Sequence, residues 1–221
     1  MEVDDGDDKN TLQLEEMHHL KELRTSWINE KRSPELLSFC GEAVEQVSAL
    51  IRAQHDAVAM SGSPRHKDMR DIIQLDADRS EYILKAYLRQ RFIKIQKYAF
   101  YYLQHETYKL SAAERSFATQ LCALQSSHYT SSFLHCLPPQ GDYQSVSNPN
   151  DISGSMLSSP DLTCFVFIDV VLDNQLHDQV HKVVCGSSTN TYTLELSKGK
   201  SYLCKYADIR GLLEQGKVVL V

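Results

Sequence analysis

The chain has 221 residues, of which 42% are apolar and 24% charged, and a formal net charge of −6. This composition excludes a collagen-like repeat and wholesale disorder, and leaves enough apolar material for a real core in one or two domains. The acidic balance argues against a dedicated nucleic-acid binder, for which a basic footprint is expected. No apolar run approaches the roughly 18 residues of a membrane helix, and the acidic stretch Met1–Asp8 does not read as a signal peptide, so a soluble, intracellular protein is expected. The six cysteines, Cys40, Cys122, Cys136, Cys164, Cys185 and Cys204, lie far apart without a CxxC pair and read as reduced, mostly buried thiols. No dense Lys/Arg cluster of the nuclear-import type is present, so a nuclear protein of this sequence would enter with a partner.

Met1–Asn10 carries five acids and little to bury, which predicts a mobile tail, either solubilising or a tethered acidic peptide for a basic groove. Thr11 caps a predicted helix with Leu14, Met17, Leu20, Leu23 and Trp27 on one side, ending near Asn29. Trp27 is the single tryptophan and reads as a core or interface anchor. Ser33-Pro34 is predicted to open a second helix with Pro34 at its first position, interrupted at Gly41 and resumed over 42–60. Ser61–Pro64 reads as a loop.

The stretch Asp78–Glu106 lacks Gly and Pro, and Leu84, Tyr87, Leu88, Ile95, Tyr98 and Tyr102 recur with helical spacing. A helix from about His66 to His105 would be roughly 60 Å long. Apolar residues also sit off that stripe, at Tyr82 and Ile83, at Phe92 and Ile93, and at every position from Tyr98 to Leu103. This predicts a helix buried on all sides. With Arg89 at zero and about 100° per residue, Lys97 falls near 80°, Lys94 near 140°, Arg91 near 200° and Lys85 near −40°. Charges smeared in this way suit ion pairs with several neighbours, or packed stems with heads reaching water, better than a face tracking phosphates.

Ser111-Ala-Ala-Glu114 is a capping box, predicting a helix with Phe117, Leu121, Leu124 and Phe133 that stops at Pro138-Pro139. Residues 140–160 turn to Gly, Ser, Asn and Pro and read as a linker. Beyond it, Cys164–Val171, Thr191–Leu196, Tyr202–Tyr206 and Lys217–Val221 read as strands, Lys198-Gly199 as a hairpin turn, and Ala207–Gln215 as a short helix ended by Gly216. The segment is too small to bury much more than about 60% of its surface alone and is expected to dock on something, with the terminal run Val218–Val221 buried. The fold class is therefore α+β: an acidic tail over 1–10, a helical domain over 11–139 with a long central helix, a linker over 140–160 and a small β-rich domain over 161–221.

Catalytic patterns are missing from the sequence: it has no phosphate loop, dinucleotide fingerprint, nucleophile elbow or HExxH, and no cofactor is implied. His18-His19 and the pair His177 and His181 are the best metal candidates, but neither has Cys or carboxylate partners at metal-site spacing, and no metal site is assigned. His135 and Cys136, adjacent on a helix, would point apart, leaving His135 poorly placed as a base. Ser33, Ser63 and Ser159 precede proline and are minimal sites for proline-directed kinases, Ser33 as a helix cap and the others in loops.

Trp27-Ile-Asn-Glu-Lys31 followed by Pro34-Glu-Leu-Leu37, then Arg79, Tyr82, Leu84, Tyr87-Leu-Arg-Gln-Arg91 and Lys94-Ile-Gln-Lys97, resembles the GINS family, in particular its Sld-five (subunit four) branch. Leu137-Pro-Pro139, Pro160-Asp-Leu162 before a Phe-Val-Phe strand, Leu196-Ser-Lys-Gly199, Tyr206 and Gly216-Lys-Val-Val-Leu220 extend the likeness over nearly the whole chain after the acidic tail. The resemblance implies a helical A domain before a β-rich B domain, and one of four paralogous subunits of a nuclear heterotetramer. That tetramer joins the MCM hexamer and the Cdc-forty-five protein as the replicative helicase, the CMG complex, needed for initiation and elongation of DNA replication. It also implies indirect links to DNA polymerase epsilon and other fork proteins, with the ATPase in the MCM ring and no chemistry in this chain. Trp27, Tyr82, Tyr87, Leu88, Tyr98, Leu220 and Val221 are the expected packing or interface residues, and Arg89, Arg91 and Lys94 the expected ion-pair donors. A nucleic-acid module built on Arg89, Arg91, Lys94 and Lys97 is the competing reading; scattered charge and an acidic total oppose it, so neither direct DNA contact nor membrane binding is expected.

Overall fold

The computed structural model describes residues 5–60, 67–136, 158–171, 181–187 and 190–221. Among them are helices α1 (Asp5–Arg32), α2 (Gly41–Met60), α3 (Lys67–His105), α4 (Ala112–Ser132) and α5 (Tyr206–Glu214). The strands are β1 (Phe165–Val170), β2 (His181–Ser187), β3 (Asn190–Leu196), β4 (Ser201–Lys205) and β5 (Val218–Leu220). The α+β class is as the sequence implies. These elements fall into two compact units: a first with α1, α2, α3 as far as Gln90 and all strands with α5, and a second with Pro34–Phe39, α3 from Arg91, and α4 with its flanking turns.

In the first unit, α1 begins at Asp5, inside the segment expected to be a tail; acidic sequence is what a helix N-terminus favours. It ends where the Ser33 N–H donates to the Asn29 carbonyl at 2.9 Å, so Ser33 closes α1 and does not cap a following helix. Ala43, Val47 and Ile51, one turn apart, form the buried stripe of α2, which packs against α1. The first half of α3 buries Ala77, Ser80 and Tyr87, and the Tyr87 hydroxyl accepts from the Cys40 N–H at 3.2 Å.

β1 lies between β4 and β5 in an antiparallel sheet, and β2 pairs with β3 in a second, two-stranded one. Val166, Ile168 and Val170 alternate inward along β1 and are buried with Cys204, Val218 and Leu220, while α5 packs on β4 and β5 through the same side of the chain that buries Tyr206, Ile209 and Leu213. β5 would leave an open sheet edge, but α1 packs along it and the Asn29 Oδ1 accepts from the Leu220 N–H at 2.9 Å. Asn29→Ala strands that N–H and is expected to lower stability by about 1–3 kcal/mol in thermal unfolding, a loss that Asn29→Asp largely avoids because it keeps an acceptor.

Two expectations are corrected in this unit. Lys198-Gly199 is a turn with Gly199 at φ +74, but it joins strands of different sheets and is not a hairpin; its Gly199 N–H is pinned to the Val170 carbonyl at 3.0 Å. His181 opens a regular strand, β2, where the sequence reads as a loop or frayed strand; a stretch with Gly186 and only three apolar residues, Val183, Val184 and Cys185, in mid-segment has little alternation to read. His177 lies outside the described residues, as do Ser61–Pro64, Leu137-Pro138-Pro139 and the expected linker apart from 158–160.

In the second unit, Pro34–Phe39 is irregular, with a bend at Pro34-Glu35, which corrects the predicted second helix. Its backbone groups find side chains instead of i→i−4 partners: the Leu36 N–H donates to the Tyr102 hydroxyl at 3.0 Å, and the Glu35 and Leu37 carbonyls accept from Lys94 and Arg91, each at 2.7 Å. Leu36, Ile95, Tyr102, Leu110 and Ala118 form the core. The capping box is present: Ser111 Oγ accepts from the Glu114 N–H at 3.2 Å and the Glu114 carboxylate from the Ser111 N–H at 2.9 Å.

α3, at 39 residues, is about 58 Å long and kinked at Tyr98 (φ −127, ψ 33). It is not buried on every side of this chain: Met69, Ile72, Leu75, Tyr82, Leu88, Phe92 and Ile93 are exposed, while Ala77, Ser80, Tyr87, Arg91, Ile95 and Tyr102 are buried.

Candidate interaction surface

Arg91 is the centre of a buried polar network in the second unit. With 0% exposure, it aims Nε and Nη2 at the two carboxylate oxygens of Glu114, at 2.7 and 3.0 Å. Nη1 donates to the Leu37 carbonyl at 2.7 Å, Nη2 also to the Lys109 carbonyl at 2.9 Å, and the guanidinium lies 5.2 Å from the centre of the Phe39 ring. A planar fork that meets a carboxylate in bidentate fashion while its other N–H groups reach carbonyls is a job only Arg can do. Glu114 is also the capping-box residue of α4, so one carboxylate joins the start of α4 to α3. Beside it, Lys109, 2% exposed, reaches Glu35 at 2.8 Å and Glu106 at 3.0 Å. Lys94 holds the Glu35 carbonyl. Burying three cations is tolerable only because each has close acceptors. Two of the expected ion-pair donors, Arg91 and Lys94, are thus assembled here, and Arg89 is exposed. Glu35, Glu106, Lys109 and Glu114 were not singled out from the sequence as network members; the segment Pro34–Phe39 looked helical and gave no signal for them.

The apolar anchors divide. Tyr87 is 1% exposed and Leu220 fully buried, whereas Trp27 and Tyr98 are half-buried and Leu88 and Val221 exposed. Tyr82, 64% exposed, meets Trp27 edge-on with ring centres 6.4 Å apart. On the same helix, taking Ile72 as zero and about 100° per residue, Met69, Ile72, Leu75 and Tyr82 fall within about 140° of arc. All four are exposed. A second apolar face is the outer side of the three-stranded sheet. Phe167, 59% exposed, stands opposite Leu203 in register, and the Val221 N–H donates to its carbonyl at 3.1 Å. Exposed Leu203, Phe167 and Val221 therefore form a row across the sheet, with exposed Phe165 one step along β1 and Lys205 Nζ 6.0 Å from its ring. Apolar patches of this kind mark contact surfaces. Phe165 and Phe167 were readable as a strand, but which way they pointed was not.

Cys136 Sγ lies 3.2 Å from His135 Nε2, and His135 Nδ1 is 3.0 Å from the Thr130 carbonyl, correcting the expectation that the two side chains point apart. They sit in a 3₁₀ turn, Leu134–Cys136, beyond the end of α4, and not within the helix the sequence predicts. Cys122 and Cys204 are buried and Cys40 and Cys164 half-buried, and burial raises the pKa of Cys40, Cys122 and Cys164. Ser33 is buried, while Ser159 is exposed; Ser63 lies outside the described residues. Among the described residues no helix is long and apolar enough to cross a membrane.

Residues 45–133 match the family described as GINS complex protein helical bundle domain, and residues 160–221 that of the DNA replication complex GINS protein SLD5 C-terminus. The chain is 31% identical over 215 residues to the DNA replication complex GINS protein SLD5 of Chaetomium globosum, covering 94% of this chain and 92% of that relative. It is 31% identical over 207 residues to the Schizosaccharomyces pombe protein, with 91% of each covered, and 28% identical over 213 residues to the Homo sapiens protein, with 91% and 88% covered. The chain belongs to the SLD5 family of GINS DNA replication proteins.

Proposed function

We propose that this chain is a non-catalytic structural subunit of a heterotetrameric GINS complex in the nucleus. With the three other subunits it would serve the replicative helicase, alongside the MCM hexamer and the Cdc-forty-five protein, in initiation and elongation, and reach DNA polymerase epsilon only through the assembly. A helical A domain over 11–139 and a B domain over 161–221 would be its two working parts. The observation that carries this reading is the exposed apolar arc of Met69, Ile72, Leu75 and Tyr82 on α3, a surface a solitary protein would leave wet. The nucleic-acid reading is weakened by Arg91 and Lys94, which point inward to carboxylate and carbonyl partners and not to a phosphate-facing stripe.

Ile72→Asp with Tyr82→Asp tests the reading. Co-expressed with the other three GINS subunits, the double variant is expected to lose their co-purification while keeping its helical circular dichroism. Undiminished recovery of all three partners would contradict it.

A further inference from the structure

We propose a transition-metal site, of the zinc type, formed by His18, His19 and Glu22 on α1 with Cys40 from the turn before α2. One ligand atom each from His18, His19 and Glu22 can be chosen so that all lie within 4.8 Å of one another. His18 and Glu22 are four apart on a helix and His19 and Glu22 three apart, so their side chains share a face. This corrects the sequence reading, which saw no carboxylate at metal-site spacing from the paired histidines.

Glu22 sits between an imidazole and a thiol. Its Oε2 is 3.7 Å from His19 Nδ1, and its Oε1 accepts from Cys40 Sγ at 3.6 Å. The His19 contact is too long for a hydrogen bond, and Nδ1 is a buried atom with no hydrogen-bond partner. A buried ring nitrogen left unpaired beside a carboxylate and a second imidazole is the kind of orphan that an ion satisfies. Cys40 arrives from a different part of the first unit and is held in place by its own N–H, bonded to the Tyr87 hydroxyl at 3.2 Å.

The donor chemistry selects the ion. Two imidazole nitrogens, one carboxylate oxygen and one sulfur are ligands for zinc or a neighbouring transition metal, whereas calcium and magnesium want oxygen throughout. Tetrahedral zinc at about 2.0–2.3 Å from its ligands needs them roughly 3.3–3.8 Å apart. Cys40 lies outside that 4.8 Å group and touches it through Glu22 alone, so rotation of the exposed His18 and Glu22 and the half-buried His19 and Cys40 side chains has to bring the sulfur in. Coordination releases the Cys40 thiol proton to solvent and leaves the metal oxidation state unchanged. The bound ion would staple α1 to the start of α2.

The test uses the 221-residue chain without a histidine tag, stripped with chelator and titrated with Zn²⁺ or Co²⁺. About one equivalent is expected to bind. Co²⁺ should give a tetrahedral visible spectrum with a sulfur-to-metal band, the band vanishing in Cys40→Ser, and Zn²⁺ should raise the Tm. His18→Gln, His19→Gln and Glu22→Gln should each weaken binding by about tenfold or more. Metal-free unfolding of the exposed-site variants His18→Gln and Glu22→Gln, expected to match the unsubstituted chain, separates ligand loss from misfolding. Absence of saturable binding, binding indifferent to these four positions, or a Co²⁺ spectrum without the sulfur band would overturn the assignment.

Discussion

Arg91→Ala is expected to destabilise the protein by about 3–5 kcal/mol, the range for breaking a buried ion pair by removing one partner. The size follows from what is left behind. Glu114 loses both of its guanidinium bonds, and the Leu37 and Lys109 carbonyls lose their donors around a fully buried side chain. Arg91→Lys restores the charge but cannot form the fork, so it should recover only part of the loss. Arg89→Ala, two residues away and exposed, should change stability by no more than about 0.5 kcal/mol. Chemical denaturation of the three variants in parallel checks this; equal midpoints for Arg91→Ala and Arg89→Ala would contradict the network. A cycle with Glu114→Gln would isolate the pairwise part, since the two residues share one set of hydrogen bonds.

Tyr87→Ala should cost a comparable amount, about 3–5 kcal/mol, for a different reason. Here the loss is a cavity: Tyr87 is among the largest fully buried side chains, with 1% of its surface exposed. Its hydroxyl adds a separate contribution by accepting from the Cys40 N–H. Tyr87→Phe keeps the ring and removes the hydroxyl that the Cys40 N–H needs, so it should cost about 1–3 kcal/mol. The ratio of the two losses in thermal unfolding tells packing from hydrogen bonding. A Tyr87→Ala protein with an unchanged melt would mean the ring is not buried.

The long helix, the capping box at Ser111 and the first strand were legible because each rests on local rules: periodicity, a cap with its reciprocal partner, and alternation. Pro34–Phe39 was not. Its proline suits a helix start, and nothing nearby in the sequence says that Tyr102, Lys94 and Arg91, more than fifty residues on, will take over its backbone hydrogen bonds. The same gap explains the all-round burial expected of α3. Consecutive apolar residues such as Phe92 and Ile93 show that two faces of the helix are apolar, but not whether this chain covers both. Smeared basic residues do not say which of them turn inward: Arg91 pairs with Glu114 and Lys94 donates to the Glu35 carbonyl, whereas Arg89 reads identically and is exposed. Leu220 ends β5 and Val221 follows it, yet alternation alone cannot say which of them faces in until the sheet has an inner side. The Glu22 carboxylate beside His18 and His19 was within reach of a helical-spacing search, whereas Cys40 could be joined to them only by the fold.

The central claim is that this chain exists to be one subunit of four. The most direct measurement is the mass in solution, by light scattering, of the chain purified alone and after co-expression with the three other GINS subunits. The account predicts a stable assembly containing one copy of each subunit. A well-folded monomer that leaves those partners unbound would contradict it.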